Sequence, residues 1–246
     1  MSILSTLTTD TSIANEKDVV GGSREPMASG IYLSTIQTAY ITTSSGGAVG
    51  LVVNFKTEEG RELRQTFWMT SGKAKGCKNY YEDRNGDKQY LPGFVMANAL
   101  CLLTTGKEIS GLDTEQKVIS IYNPEAKAEL PTTVDMLMDL VGKDVLAAIM
   151  RQTVDKTKKN DNTGLYEPTG ETRDENEVDK FFRARDRMTT AEIRAKAEKA
   201  VFIDTWEQKW AGKVRDKSKG ASANNGTTGL PKPAQAPSKP TNSLFA

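Results

Sequence analysis

FWMTSGKAKGCKNYYEDRNGDKQYLPGF, residues 67–94, is dense in aromatic side chains and carries five cations: Lys73, Lys75, Lys78, Arg84 and Lys88. It also holds the clearest hairpin signal in the chain, Asn85-Gly86, a pair suited to a two-residue turn whose central positions both need positive φ. Taken literally, that turn sets Arg84 opposite Asp87, Asp83 opposite Lys88, Glu82 opposite Gln89 and Tyr81 opposite Tyr90. Side chains alternate along a strand, so this register places Tyr81, Tyr90, Asp83 and Lys88 on one face.

Working outward, residues 49–56 (VGLVVNFK) and 62–69 (ELRQTFWM) flank Glu58-Glu59-Gly60. That segment fits a three-residue hairpin loop with glycine in the left-handed position. Pairing from this loop sets Phe55 opposite Leu63, Val53 opposite Gln65, Leu51 opposite Phe67 and Val49 opposite Met69, a face that should be core. The other face pairs Lys56 with Glu62, Asn54 with Arg64, Val52 with Thr66 and Gly50 with Trp68. An indole on the polar face, with no side chain across from it, has two readings. Trp68 covers the strand glycine, or it is a flat platform on which a nucleobase stacks.

Ile31–Thr43 (IYLSTIQTAYITT) reads as a preceding long strand with a bulge, turned at Ser44-Ser45-Gly46-Gly47. MTSGKAKGCKN after Trp68 reads as a mobile basic loop that could contact phosphates. It is not a P-loop, because the GxxxxGK[ST] spacing is absent. Phe94–Leu103 reads as a buried helix ending near Gly106, with Cys101 a core residue. Val118–Tyr122 reads as a strand, with a turn at Asn123-Pro124. Pro131-Thr132-Thr133, with Asp135 three residues after Thr132, predicts a capped helix. Val134, Leu137, Met138, Val141, Val145, Ala148 and Ile149 extend it at helical spacing, with a kink or break at Gly142.

Residues 155–180 read as a charged surface excursion with turns at Asn162-Thr163-Gly164 and Pro168-Thr169-Gly170. Val178–Arg183 is expected as the last strand. Thr189-x-x-Glu192 caps a further helix, on which Phe202, Trp206 and Trp210, four apart, form one aromatic stripe.

The 246 residues carry 33 Lys and Arg against 32 Asp and Glu, a net charge of +1. No global field draws the chain to nucleic acid, so any such binding belongs to a local patch. There is no histidine, and the two cysteines, Cys77 and Cys101, form no CxxC pair. Imidazole bases, Ser–His and Cys–His pairs and imidazole zinc sites are therefore excluded. The expectation is a protein that is not an enzyme and needs no cofactor and no metal. Acidic pairs such as Glu58-Glu59 and Asp174-Glu175 are where carboxylate and metal chemistry could be built. Residues 1–29 read as a flexible arm without signal-peptide character, and no run approaches the roughly 18 apolar residues of a membrane span. Residues 217–246 collapse to Ser, Ala, Asn, Gly, Thr, Pro and Lys and should form a disordered tail, ending in the apolar pair Leu244-Phe245.

The expected fold is therefore β-dominated α+β: a five-stranded OB-fold barrel over residues 30–216, with helical insertions between disordered termini. The candidate DNA-binding residues are Trp68, Tyr81, Tyr90, Lys56, Arg64, Lys73, Lys75, Lys78, Arg84 and Lys88. At residues 67–110 (FWMTSGKAKGCKNYYEDRNGDKQYLPGFVMANALCLLTTGKEIS) and 166–183 (YEPTGETRDENEVDKFFR) the chain also resembles the single-stranded DNA-binding proteins of certain bacteriophages, those of podovirus-type replication modules. The resemblance spans residues 28–210. It implies an OB-fold that coats replication and recombination intermediates without sequence preference, in the cytoplasm of the bacterial host. It also implies recruitment of phage replication or host transcription proteins through the tail tip, here Leu244 and Phe245. Such tails are often acidic, whereas residues 217–246 hold four lysines and no Asp or Glu. The competing reading is a protein-interaction or virion component that uses the same aromatic and basic face.

Overall fold

The computed structural model describes residues 25–123, 126–160 and 166–219. The chain divides into a larger unit, Met1–Gln152 with Asp174–Asp216, and a smaller one, Thr153–Arg173 with Lys217–Ala246. It is β-dominated, built on a large antiparallel sheet with few helices.

In the larger unit, β1 (Gly30–Thr43), β2 (Val49–Thr57) and β3 (Glu62–Trp68) form a meander. The β2–β3 register is the expected one, with Phe55 opposite Leu63, Leu51 opposite Phe67 and Gly50 opposite Trp68. β1 carries the expected bulge, between Ile36 and Thr38. The next strands are the short β4 (Tyr80–Glu82) and β5 (Lys88–Tyr90), followed by α1 (Pro92–Thr105). α1 has proline in its first turn and ends at Gly106 in the left-handed region. It buries Ala97, Leu100, Cys101 and Leu103, and burial pushes the Cys101 thiol up to about 12.

The helix expected from Pro131 is absent. That stretch is instead β7 (Ala128–Met136), paired with β6 (Glu115–Asn123), then a 3-10 turn and β8 (Asp144–Lys159). The physical reason is two-sided burial. Val145, Ala147 and Ile149 face the main core, while Ala148 and Met150 lie in a second apolar cluster. A strand apolar on both faces has no period-two signature and is easily read as a helix. Gly142, at φ 75°, sits in the turn between the two strands, its N–H donating to the Ile36 carbonyl.

β9 (Tyr166–Arg183) pairs with β8, which pairs with β1. Around the main core the strand order is thus β9–β8–β1–β2–β3, with α1 lying between β3 and β8 in the chain. Among the described residues no ladder joins β9 to β3, and the sheet is not closed. The two edges approach through side chains. The Val178 N–H donates to Gln65 Oε1 at 3.4 Å, and the Phe181 ring lies 5.7 and 5.8 Å from those of Phe55 and Phe67. β9 is not the last strand, because β10 (Val214–Asp216) pairs with β8. Pro168-Thr169-Gly170 lies inside β9 rather than ending it. Asn162-Thr163-Gly164 and Pro124 fall outside the described residues.

Thr189 and Glu192 make the expected capping box on α2 (Thr190–Arg194). Glu192 does more: its other carboxylate oxygen accepts the Val201 and Phe202 N–H groups, each at 2.8 Å, at the start of α3 (Phe202–Trp210). Burial raises the Glu192 pKa, but the Thr189, Phe202 and Val201 N–H donors and the Thr189 hydroxyl outweigh it, and the net shift is downward. Phe202, Trp206 and Trp210 line one side of α3 as expected, against Phe182 and the second apolar cluster, but at different depths. Trp206 is buried and donates Nε1–H to Asp179 at 2.7 Å. Phe202 is exposed beneath Lys180, and Trp210 carries the Arg215 guanidinium 4.7 Å from its ring centre.

The expected arm is tied down from residue 25 on. Met27 is buried, its backbone exchanging two hydrogen bonds with the Asn176 amide. Ser29 accepts the Arg151 N–H at 2.8 Å and donates to the Lys213 carbonyl. In the smaller unit, Lys156 pairs with Glu171 at 2.8 Å, and the Lys217 N–H donates to the Thr153 carbonyl.

Candidate nucleic-acid interface

Three hairpin loops of one design set the geometry. In Ser44–Ala48, Thr57–Arg61 and Asp83–Asp87 the first residue's N–H donates to the last residue's carbonyl. The N–H of the fourth residue, a glycine at positive φ, donates back to the first residue's carbonyl. This is the three-residue loop with a left-handed glycine, expected for 58–60. At Asn85-Gly86 it replaces the expected two-residue turn. Asp83 decides the matter, because its Oδ1 accepts the N–H groups of Asn85 and Asp87 and fills the loop interior.

The extra loop residue shifts the register by one. Tyr80 pairs with Tyr90, Tyr81 with Gln89 and Glu82 with Lys88. Tyr81 and Tyr90 therefore lie on opposite faces of the hairpin, and the expected Tyr81–Tyr90, Asp83–Lys88 and Arg84–Asp87 pairs do not form. Tyr90, 61% exposed, packs its ring 5.0 Å from Phe94 of α1, and Tyr81 is 50% exposed on the other side. Tyr80, not among the candidates above, belongs to the same cluster. Its ring is approached by Lys88 at 5.0 Å and Lys78 at 5.5 Å, two cations gathered around one aromatic ring. The signal was the Lys78-x-Tyr80 spacing, legible only with the register known.

On the face of β2 and β3 away from the main core, where Val52 is buried with Tyr40, Val134 and Met136, Trp68 lies over Gly50. A Cβ built on Gly50 would sit 2.8 Å from indole Cε3 and 3.0 Å from Cζ3. From the other side, a Cβ on Gly93 would come within 2.1 Å of the Trp68 carbonyl oxygen. Two glycines thus fix the ring and its backbone, and the indole is still 43% exposed. Two residues along β3 is Thr66, and two further is Arg64, whose guanidinium donates to the Tyr40 hydroxyl at 2.9 Å. Beside it, Asn54 donates to Thr38 Oγ1 at 2.6 Å. Lys56, opposite Glu62, is exposed at the far end of this face. Tyr40, which steers Arg64, stands on β1 opposite Val52, with β2 between it and Arg64, a placement that no local spacing signals.

The basic segment after Trp68 is a folded turn. The Lys73 N–H donates to the Gly46 carbonyl at 2.8 Å, Ser71 N–H to Lys78 O at 2.8 Å, and Lys78 N–H to Ser71 Oγ at 3.0 Å. Lys73–Lys75 form a 3-10 turn closed by Gly76 at positive φ. The Lys73 stem lies against Gly47, where a Cβ would meet its Cγ at 2.5 Å. Lys73, Lys75 and Lys78 are exposed, as is Arg84 at the hairpin tip. Among the described residues, no ion pair engages Lys56, Arg64, Lys73, Lys75, Lys78, Arg84 or Lys88. Leu244 and Phe245 lie outside the described residues.

Among the described residues no cluster of three or more Cys, Asp and Glu is placed to hold a metal ion. No described helix is long and apolar enough to cross a membrane. Comparison with known proteins finds no family model that matches the chain and no matching curated protein.

Proposed function

We propose that this protein binds single-stranded DNA without sequence preference, on the Trp68 face of β2–β3 and the basic turn that follows. The observation that carries the reading is Trp68: a half-exposed indole lying on Gly50, its backbone packed against Gly93, followed within ten residues of chain by the exposed Lys73, Lys75 and Lys78. A held ring loses little freedom on stacking a base, and every base has a face to offer. Unpaired cations beside it supply phosphate contacts. Arg64, steered by Tyr40, extends the track along β3.

The strand order β9–β8–β1–β2–β3 with an intervening helix supports a five-stranded OB-fold barrel, the architecture expected from sequence. With the resemblance to phage single-strand binders, the role we propose is the coating of single strands during phage DNA replication and recombination, in the host cytoplasm. The test is a fluorescence titration with poly(dT) at several salt concentrations. Trp206 is buried and Trp210 is covered by Arg215 and Lys209, so quenching reports Trp68. Salt-sensitive quenching supports the proposal. Unchanged emission with no retardation of the strand refutes it and favours the protein-interaction reading of the same face.

A further inference from the structure

A cleft of about 420 Å³ opens beneath the basic turn, between it and the segment that leads from α1 into β6. Its floor is apolar: Ile41, Met69, Phe94, Leu112 and Leu137. Met69 and Leu137 are buried, and Phe94 is braced by the Tyr90 ring. Its rim is polar, with Lys78, Asn79 and Thr114 around the mouth. The Asn79 side-chain amide has no hydrogen-bond partner among the described residues, while its backbone carbonyl accepts the Leu91 N–H. Thr70, two residues beyond Trp68, also lines the cleft. The volume falls in the range of small-molecule sites, which combine an apolar lining with a few convergent polar groups.

We infer that this cleft receives one nucleobase splayed out of a bound single strand, seated on Phe94 with its edge toward Asn79 while Lys78 holds the adjoining phosphate. This rests on the single-strand reading and extends it from a flat platform to a pocket. The chemistry fits a base better than an alkyl chain. The floor offers an aromatic face, the rim an amide that both donates and accepts, and the mouth carries an unpaired ammonium group. An unstacked base also presents its Watson–Crick edge, which a free amide can meet whichever base arrives.

The protein carries its own reporter. Cys77 lines the cleft and is exposed, its thiol directed at the Gly47 carbonyl at 3.5 Å. Cys101, the other cysteine, is buried and stays protonated. Alkylation of Cys77 is followed by mass spectrometry on the full chain, with and without oligo(dT) at the concentration that fluorescence anisotropy shows to occupy about nine-tenths of the protein. A base-free deoxyribose-phosphate chain of equal length serves as the comparison. The expected result is slowing on the order of tenfold by oligo(dT), set by a bound fraction of about nine-tenths, and little slowing by the base-free chain. Separately, Thr114→Trp, which introduces a ring at the exposed mouth, weakens oligo(dT) binding about tenfold, the value of one base stack, without changing the salt slope. Oligo(dT) that binds while Cys77 reacts at its free rate overturns the pocket and leaves the single-strand reading standing. Equal protection by the base-free chain, or full affinity in Thr114→Trp, overturns it likewise. Failure of oligo(dT) to bind at all overturns both.

Discussion

Replacing Trp68 with Ala separates the two roles the structure gives this ring. The indole is 43% exposed, so more than half of it is covered, chiefly where it lies against Gly50. Truncation uncovers roughly 100 Å² of apolar surface, about 2.5 kcal/mol at ~25 cal/mol per Å². Residual burial in the unfolded chain trims this to about 2 kcal/mol. For a unit of this size that lowers Tm by roughly 4–8 °C. The exposed part of the ring is what a base would use, and losing one stack costs about 1–3 kcal/mol of affinity, or roughly 5- to 150-fold in Kd. Both quantities are measured on one mutant, by calorimetry and by anisotropy with oligo(dT) well below its Tm. Trp68→Phe keeps a stacking face and should recover part of each. Wild-type affinity in a folded but less stable Trp68→Ala would end the stacking argument. An unchanged Tm would refute the covering of Gly50.

Replacing Lys73, Lys75 and Lys78 together with Ala should flatten the dependence of log K on log salt by about 0.7 per lost phosphate contact and leave Tm near wild type. An unchanged slope moves the phosphate track to Lys56 and Arg64. Gly93→Ala drives a Cβ to 2.1 Å from the Trp68 carbonyl; it should destabilise by about 1–3 kcal/mol through overpacking and weaken binding with it, and full stability would show that α1 shifts freely. Glu192→Gln should reduce stability by about 1–2 kcal/mol, as a charge-assisted cap on two helix starts is weakened. Because the folded pKa of Glu192 is lowered, its contribution is complete above the unfolded value near 4.3 and is lost as pH falls through the folded value. The difference in Tm between wild type and Glu192→Gln should therefore shrink in acid, and a constant difference would argue against the cap. Deleting residues 220–246, which contain Lys232 and Lys239 and no acidic residue, should leave affinity for single strands unchanged or slightly reduced at low salt; tighter binding would contradict the charge reading of the tail.

Local chemistry determined the β2–β3 hairpin to the residue, because Glu58-Glu59-Gly60 fixes the loop and alternation fixes both faces. It likewise determined α1 and its Gly106 stop, the bulge in β1 and the Thr189–Glu192 cap. These features depend on neighbours within a few positions, where sequence and geometry coincide. The β4–β5 register was not legible, because Asn85-Gly86 suits two loop designs and the Asp83 carboxylate selects between them. Nor was β8, whose apolar run is shared between the main core and the α3 cluster. Periodicity records how many faces are buried, and only the tertiary partners say which. The candidate site divides in the same way. Trp68 opposite Gly50 and the lysines after it stand in the sequence. The Lys78–Tyr80–Lys88 cluster, the Tyr40 hydroxyl under Arg64, and the cleft floored by Ile41, Phe94 and Leu137 join residues from separate strands and helices. No spacing along the chain encodes those distances; packing around the core creates them.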